Sequence, residues 1–254
     1  MTLRLAGYEV SVKERGGGRS IVLLHGYACS MADWDAVAEQ LVGLHVVQLD
    51  FPNHGTSPDV GAVRYENLVD IVIALLDALS LERPLLVGHS MGGMAALAVA
   101  TQVPRPLAGL ILADAFPHLP SVVDVFGGPE DPDDPFGYGS VLDRGTPLDV
   151  AEHVRSAMAR GAERTGAALF DSLVELDLRK SLADIYLPSL LLMGGRRWVT
   201  TAVLPTVLKG LGYERLAGLE AMILDSHHFV MLEQPVVTAD AIHSFAARAM
   251  AIAR

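Results

Sequence analysis

Apolar and polar positions follow two alternating rhythms along the first hundred residues. Residues 20–24, 45–50, 85–87 and 107–112 are short, nearly unbroken apolar runs, which predict strands buried on both faces. Between them, residues 32–42, 65–79 and 91–103 carry apolar side chains at helical spacing. Ahead of this series, residues 3–6 and 8–13 read as a hairpin, closed off by the turn Gly16-Gly17-Gly18. Strand and helix alternate, so the economical fold is a doubly wound, mostly parallel α/β sheet.

The rhythm breaks at residue 116 and returns near 185. The stretch between holds no convincing core strand. It begins with a Pro-, Gly- and Asp-rich run at 127–140, followed by helical patterns at 148–164 and 166–176. The plain reading is a surface loop with two packing helices. The sharper one is a helical insertion with a mobile acidic loop, favoured because structureless loops beyond about 12–15 residues are uncommon without a role. Strand, helix, strand and helix then resume at 188–193, 200–211, 219–224 and 236–252. The pattern predicts one core domain, residues 1–115 and 185–254, with a helical cap or lid at 116–184 inserted after the sixth strand.

Composition narrows the function classes. The 254 residues are 51% hydrophobic, enough for a large core. With 19 Lys+Arg against 30 Asp+Glu, the net charge of −11 argues against nucleic acid or an anionic membrane as partner. A single cysteine excludes an intrachain disulfide and a cysteine zinc site. No apolar run reaches about 18 residues and the first residues lack a signal-peptide core, so a cytoplasmic protein without a membrane span is expected. Nothing in the pattern calls for a cofactor or metal, and nothing in it speaks to oligomeric state.

The strongest chemical signal is Gly88-His89-Ser90-Met91-Gly92, a G-x-S-x-G set directly after an apolar strand and before a helix. A serine on so sharp a turn needs neighbours without side chains, and the turn lifts its hydroxyl over the sheet edge. The helix opening at Met91 offers unsatisfied amides and a positive dipole end to a developing oxyanion. Upstream, the first core strand runs into His25-Gly26-Tyr27, where a second amide can point to the same place. The backbone N–H groups of Tyr27 and Met91 are therefore the candidate oxyanion hole, with His25 expected to prop the loop.

These features together resemble the α/β-hydrolase superfamily over nearly the whole chain. His25-Gly26 followed by Trp34 is similar to the family's HG-plus-tryptophan loop. Residues 50–57, Asp-Phe-Pro-Asn-His-Gly-Thr-Ser, are similar to its structural D-x-x-G-H-G-x-S turn, with Asn53 in place of the usual glycine. Residues 228–235, His-Phe-Val-Met-Leu-Glu-Gln-Pro, resemble the H-F-x-x-x-E-x-P segment that carries the catalytic histidine. The resemblance implies that His228 is the general base for Ser90. Its neighbour His227 is a rival separated only by register, and the alignment through Phe229, Glu233 and Pro235 favours His228.

The third member departs from the pattern. The family usually sets its acid just after the strand at 190–193, in a G-x-x-D turn, but this chain reads Gly194-Gly195-Arg196-Arg197-Trp198, with Arg197 at the acid's place. Asp114 follows the apolar strand at 107–112. Some haloalkane dehalogenases and the cofactor-free dioxygenases that open quinolone rings place their acid after this same strand. Asp114 is thus the expected acid and Asp225 the fallback; the plain alternative is that Asp114 caps the way into the insertion. Cys29 near the oxyanion loop reads as a small buried hydrophobe. Met91, Met94, Met158, Met193 and Met231 are core fillers or the lining of an apolar acyl pocket.

The reaction these residues point to is hydrolysis of a small-molecule ester, thioester or lactone, of small to medium apolar character, through an acyl-enzyme on Ser90, while the superfamily's C–C bond hydrolases share the same elbow and are not told apart by it. A serine at the nucleophile position disfavours dehalogenase and epoxide-hydrolase chemistry, which use a carboxylate there. Two readings from other classes compete. A cofactor-independent oxygenase of the same fold would share the acid position but use the histidine on the substrate directly. A non-catalytic ligand-binding member would treat Arg197 as the mark of lost catalysis.

Overall fold

The computed structural model describes residues 1–102, 106–126, 146–197 and 199–251. The acidic run at 127–140 lies outside the described residues. Eight strands form one sheet in the order β1-β2-β4-β3-β5-β6-β7-β8. β1 (Thr2–Leu5) and β2 (Tyr8–Gly16) are the antiparallel hairpin, and β2 pairs antiparallel with β4 (Leu44–Leu49). From β4 onward the sheet is parallel, through β3 (Arg19–Leu24), β5 (Leu85–His89), β6 (Gly109–Ala113), β7 (Ser189–Gly194) and β8 (Leu219–Leu224). Every residue of β5, β6 and β7 is buried, as expected for central strands covered by helices on both faces. The doubly wound, mostly parallel α/β sheet anticipated from the alternating pattern is the sheet observed.

Two apolar clusters fill the two sides of the sheet. One gathers α2 (Tyr65–Ala78) and α3 (Met91–Gln102) around Leu68, Ile71, Leu75 and Leu97. The other gathers Trp34, Ile242 and Phe245, the last two from α8 (Pro235–Ala249). Helix α3 presents no polar face, since it is buried over nine of its twelve residues. It runs under the sheet's C-terminal edge as a core element.

Three helices differ from the sequence expectation. The helix at 32–42 is only a 3-10 turn, Met31–Trp34, followed by one helical turn, α1 (Asp35–Ala38). Two carboxylates cap its start: Asp33 accepts the Ser30 amide at 2.8 Å and Asp50 accepts the Met31 amide at 2.7 Å, tying the segment to the sheet edge. Helix α4 (Leu119–Phe126) is an element the sequence pattern did not announce; Pro120 sits in its first turn, where a missing N–H costs nothing. The two helical patterns at 148–164 and 166–176 are halves of α5 (Leu148–Glu175), broken at Gly166, which has φ +68°. Helices α6 (Leu204–Gly210) and α7 (Val230–Glu233) complete the described α-helices.

Helix α5 packs over the C-terminal edge of β3 and β4. Arg164 donates to the carbonyls of Gly55 and Ser57, both at 2.9 Å, and to Asp59 at 2.7 Å. His153 donates to buried Asp33 at 2.6 Å. The C-terminal ends of the parallel strands are where ligands meet such sheets, so α5 lies above the place where Ser90 emerges.

Candidate active site

Ser90 is the residue between β5 and α3, and its φ of +48° confirms the sharp turn. A non-glycine residue in this left-handed region costs roughly 1–2 kcal/mol and persists only where the surroundings enforce it. Here the Ser90 amide donates to the Ala113 carbonyl at 3.1 Å, and its own carbonyl accepts Gly93 and Met94 as α3 begins. Met91 is thus a first-turn residue, whose amide belongs to the set that helices leave for outside acceptors. A Cβ on Gly92 would lie 2.5 Å from the Leu24 carbonyl oxygen and 2.6 Å from that of His25. The start of the helix that carries Met91 and the end of β3 that leads to Tyr27 are therefore in backbone contact.

The loop after β3 is a tight turn in which the Cys29 amide donates to the Gly26 carbonyl at 3.2 Å. Its third residue, Ala28, has φ +56°, the signature of a type II turn, where glycine is the usual occupant. His25 holds the turn from below: Nδ1 donates to the Gly26 carbonyl at 2.8 Å and Nε2 accepts the Phe51 amide at 3.0 Å. Both ring nitrogens are committed to backbone, so His25 is a prop, as the sequence suggested. Burial holds its pKa below the usual 6.5, against the opposing pull of Asp50.

Asp114 stands just past the end of β6, beside Ser90 across the β5–β6 ladder, and also has a positive φ, +43°. Its carboxylate is fully engaged. Oδ1 accepts the Gly194 amide at 3.1 Å and Oδ2 accepts Nδ1–H of His228 at 2.7 Å. Both Asp114 and His228 are buried. Tyr213 adds a further brace by donating to the Ala115 carbonyl, and burial together with the Asp114 charge pushes its hydroxyl pKa well up. His228 in turn is fixed against the serine turn: Nε2–H of His89 donates to its carbonyl at 3.0 Å, and the two rings lie 4.6 Å apart.

The alternatives go elsewhere. His227 points away to Glu233, with Nδ1 3.2 Å from the carboxylate and 2.9 Å from Thr146 Oγ1, while Glu233 also accepts the His227 amide at 3.0 Å. Asp225 is 80% exposed and grips Arg196, at 2.9 Å from Nε and 3.3 Å from one terminal nitrogen. That pairing holds its carboxyl below the usual range. The arginine beside the vacated acid position thus staples the histidine loop from outside. Cys29 is buried, and burial followed by the Asp33 charge pushes its thiol pKa well up, which suits a packing role. Among the described residues no group of three or more His, Cys, Asp or Glu is arranged to hold a metal ion, and no helix is long and apolar enough to cross a membrane.

Asn53, the departure from the family turn, has φ +64°, which asparagine tolerates better than most residues. Its side chain donates to the Gly61 carbonyl and accepts the Val60 amide, both at 2.7 Å, so it builds loop structure that glycine could not. The amide of Gly194, the ring of His89 and the hydroxyl of Tyr213 all support the site, and sequence reasoning named none of them for it. The vacated acid position was the only available hint that this strand end holds a distant carboxylate.

Buried histidines next to the site make its stability depend on pH. Burial, and then the neighbouring His25, lower the His54 pKa from 6.5 to about 3. The unfolded chain takes up a proton near 6.5 that the folded ring refuses, so stability is full above that value and falls as pH drops towards 3. Between pH 6.5 and 4.5 the expected loss from His54 alone is about 2–3 kcal/mol. Urea midpoints measured at those two pH values check this. His54→Asn should flatten the dependence, and equal midpoints for the unaltered chain would contradict it.

The sequence model of the alpha/beta hydrolase family matches residues 21–241. An sn-1-specific diacylglycerol lipase, ABHD11 of Danio rerio, is 33% identical over 110 residues, 42% of this chain and 35% of that one. The pimeloyl-[acyl-carrier protein] methyl ester esterase of Nitrosomonas europaea is 28% identical over 216 residues, 76% of this chain and 83% of its own length. The matches to the first three curated relatives span 35–41% of those relatives' lengths. Among solved structures, a hydrolase from Pseudomonas aeruginosa PA01 superposes with a TM-score of 0.77 at 24% identity, covering 96% of this chain and 97% of that one.

Proposed function

The chain belongs to the alpha/beta hydrolase family, and we propose that it is a serine hydrolase cleaving carboxylic esters of small to medium apolar acyl groups. The observation that carries this reading is the 2.7 Å hydrogen bond from His228 Nδ1 to Asp114, formed between loops 114 residues apart. A proton fixed on Nδ1 leaves Nε2 with its lone pair, the form of imidazole that can accept the proton of a serine hydroxyl. In this reading Ser90 Oγ attacks the ester carbonyl as His228 takes its proton. The oxyanion forms against the amides of Tyr27 and Met91, and His228 returns the proton to the departing alcohol. Water, activated by the same histidine, then releases the acid from Ser90. Asp114 orients the ring and stabilises the imidazolium in both halves.

Two relatives named as acting on esters, the diacylglycerol lipase and the methyl ester esterase, support ester over other bonds. Thioesters and lactones follow the same steps. In this reading residues 116–184 form the cap, and of its described part α5 packs Leu169 and Leu173 into the apolar core.

The test is turnover of p-nitrophenyl esters from acetyl to decanoyl, followed by mass spectrometry of the quenched protein. The expected result is p-nitrophenol release with a chain-length optimum and a mass increase of one acyl group, lost in Ser90→Ala. Absence of both turnover and adduct at every length would end the esterase reading.

A further inference from the structure

We propose that Thr165, on α5, is a positioning residue for the oxyanion loop, so that the docked cap sets the rate of the chemical step as well as roofing the site. The inference rests on the acyl-enzyme reading above and deepens it.

Three contacts place Thr165 and its helix on the loop. Thr165 is 1% exposed, and its Oγ1 lies 2.9 Å from both the Tyr27 hydroxyl and the Gly161 carbonyl. A carbonyl can only accept, so Thr165 gives its one proton to Gly161 and the Tyr27 hydroxyl donates to Thr165 Oγ1. One turn earlier, a Cβ on Gly161 would sit 2.5 Å from the Cβ of Ala28 and 2.7 Å from its Cα. The helix backbone itself therefore rests on the residue after Tyr27. Phe170 closes the third side, its ring 5.9 Å from that of Tyr27.

The loop needs such support. Ala28 is held at φ +56°, a conformation alanine does not choose. The turn's own hydrogen bond, from Cys29 to the Gly26 carbonyl, orients the Gly26–Tyr27 peptide from within the loop and leaves the Tyr27 side chain to be held from outside. His25 fixes the turn at its start, on the Gly26 carbonyl. At its far side the hydroxyl of Tyr27 is tied to α5, and α5 is tied to the loop after β4 by Arg164. The Tyr27 side chain thus works as a strut between the candidate oxyanion donor and the helix above it. A donor displaced by a fraction of an ångström binds the ground-state carbonyl nearly as well but the oxyanion less well. Loss of the strut should therefore appear in kcat and leave KM almost unchanged.

The experiment compares Thr165→Val, Thr165→Ser, Tyr27→Phe and the double variant Thr165→Val/Tyr27→Phe on the best p-nitrophenyl ester. Removing an oxyanion donor outright costs about 10²–10³ in kcat, so a shifted donor should cost roughly tenfold. We expect that fall in Thr165→Val and Tyr27→Phe, with KM within about twofold. The double variant should fall no further than either single one, and Thr165→Ser should recover the activity. An alkyl boronic acid, which makes a tetrahedral adduct at the serine, should lose affinity by the same factor as kcat. If Thr165→Val fails to fold, Tyr27→Phe and Thr165→Ser still decide the matter through kcat and boronate affinity. Unchanged kcat in Tyr27→Phe, or a change confined to KM, overturns the positioning role while leaving the acyl-enzyme reading in place. Failure of the unaltered protein to form an acyl-enzyme removes that reading first, and this one falls with it.

Discussion

Asp114→Asn is expected to lower kcat for ester hydrolysis by about 10⁴, with KM little changed and the fold intact. The size follows from where each atom of the carboxamide would lie. Asparagine keeps the shape, and its oxygen can continue to accept the Gly194 amide, now bonded to Oδ1 at 3.1 Å. The NH₂ then occupies the place of Oδ2, which accepts the Nδ1 proton of His228 at 2.7 Å. Two donors cannot face each other, so His228 must shift its proton to Nε2 and offer Nδ1 as acceptor. That is the tautomer unable to take the serine proton. The imidazolium formed during reaction also loses its negative neighbour. Asp225→Asn is the control: its exposed carboxylate grips half-buried Arg196, and the change should cost no more than a few fold. Steady-state kinetics with circular dichroism on both variants would check this. Near-normal activity in Asp114→Asn, with loss in Asp225→Asn, would transfer the acid role to Asp225.

The same pair of carboxylates shows how far the sequence could be read. Asp114 was legible because two facts coincided: the usual acid position held Arg197, and a buried strand ended in an aspartate at the same sheet edge. Parallel strands in neighbouring positions end side by side, so strand order translates directly into proximity. The choice between His227 and His228 was a matter of register alone. In the fold, adjacent side chains diverge, one towards Glu233 and the other towards Asp114.

Contacts made across long separations by single hydroxyls were not legible. Thr165 and Tyr27 are 138 residues apart, and neither lies in a motif that mentions the other. The short helix at 32–42 is a different case: its apolar spacing is genuine, but nothing in that spacing marks the end of α1 at Ala38. The break at Gly166 was placed correctly because a positive φ is what glycine most cheaply supplies in the middle of a helix.

Ser90→Ala, His228→Ala and the double variant are expected to fall to one common floor, about 10⁶ below the unaltered protein in kcat. Nucleophile and base perform one proton-coupled step, so removing either abolishes it and removing the second costs almost nothing more. Independent contributions would multiply instead, and the double variant would then be far slower than either single one. The floor itself should still exceed the uncatalysed rate by roughly 10³–10⁴ if the amides of Tyr27 and Met91 are the oxyanion donors proposed above, since they do not depend on the serine side chain and would still favour a tetrahedral oxyanion made by water. Tyr27→Phe in the Ser90→Ala background therefore separates the two halves of the site. A further fall there would show that the loop held by α5 acts on the oxyanion even when no acyl-enzyme can form. A residual rate unaffected by that change would assign the remaining catalysis to substrate binding alone. Should Ser90→Ala keep most of its activity while His228→Ala loses it, the histidine would be acting on the substrate directly, and the serine would have to be given up as nucleophile.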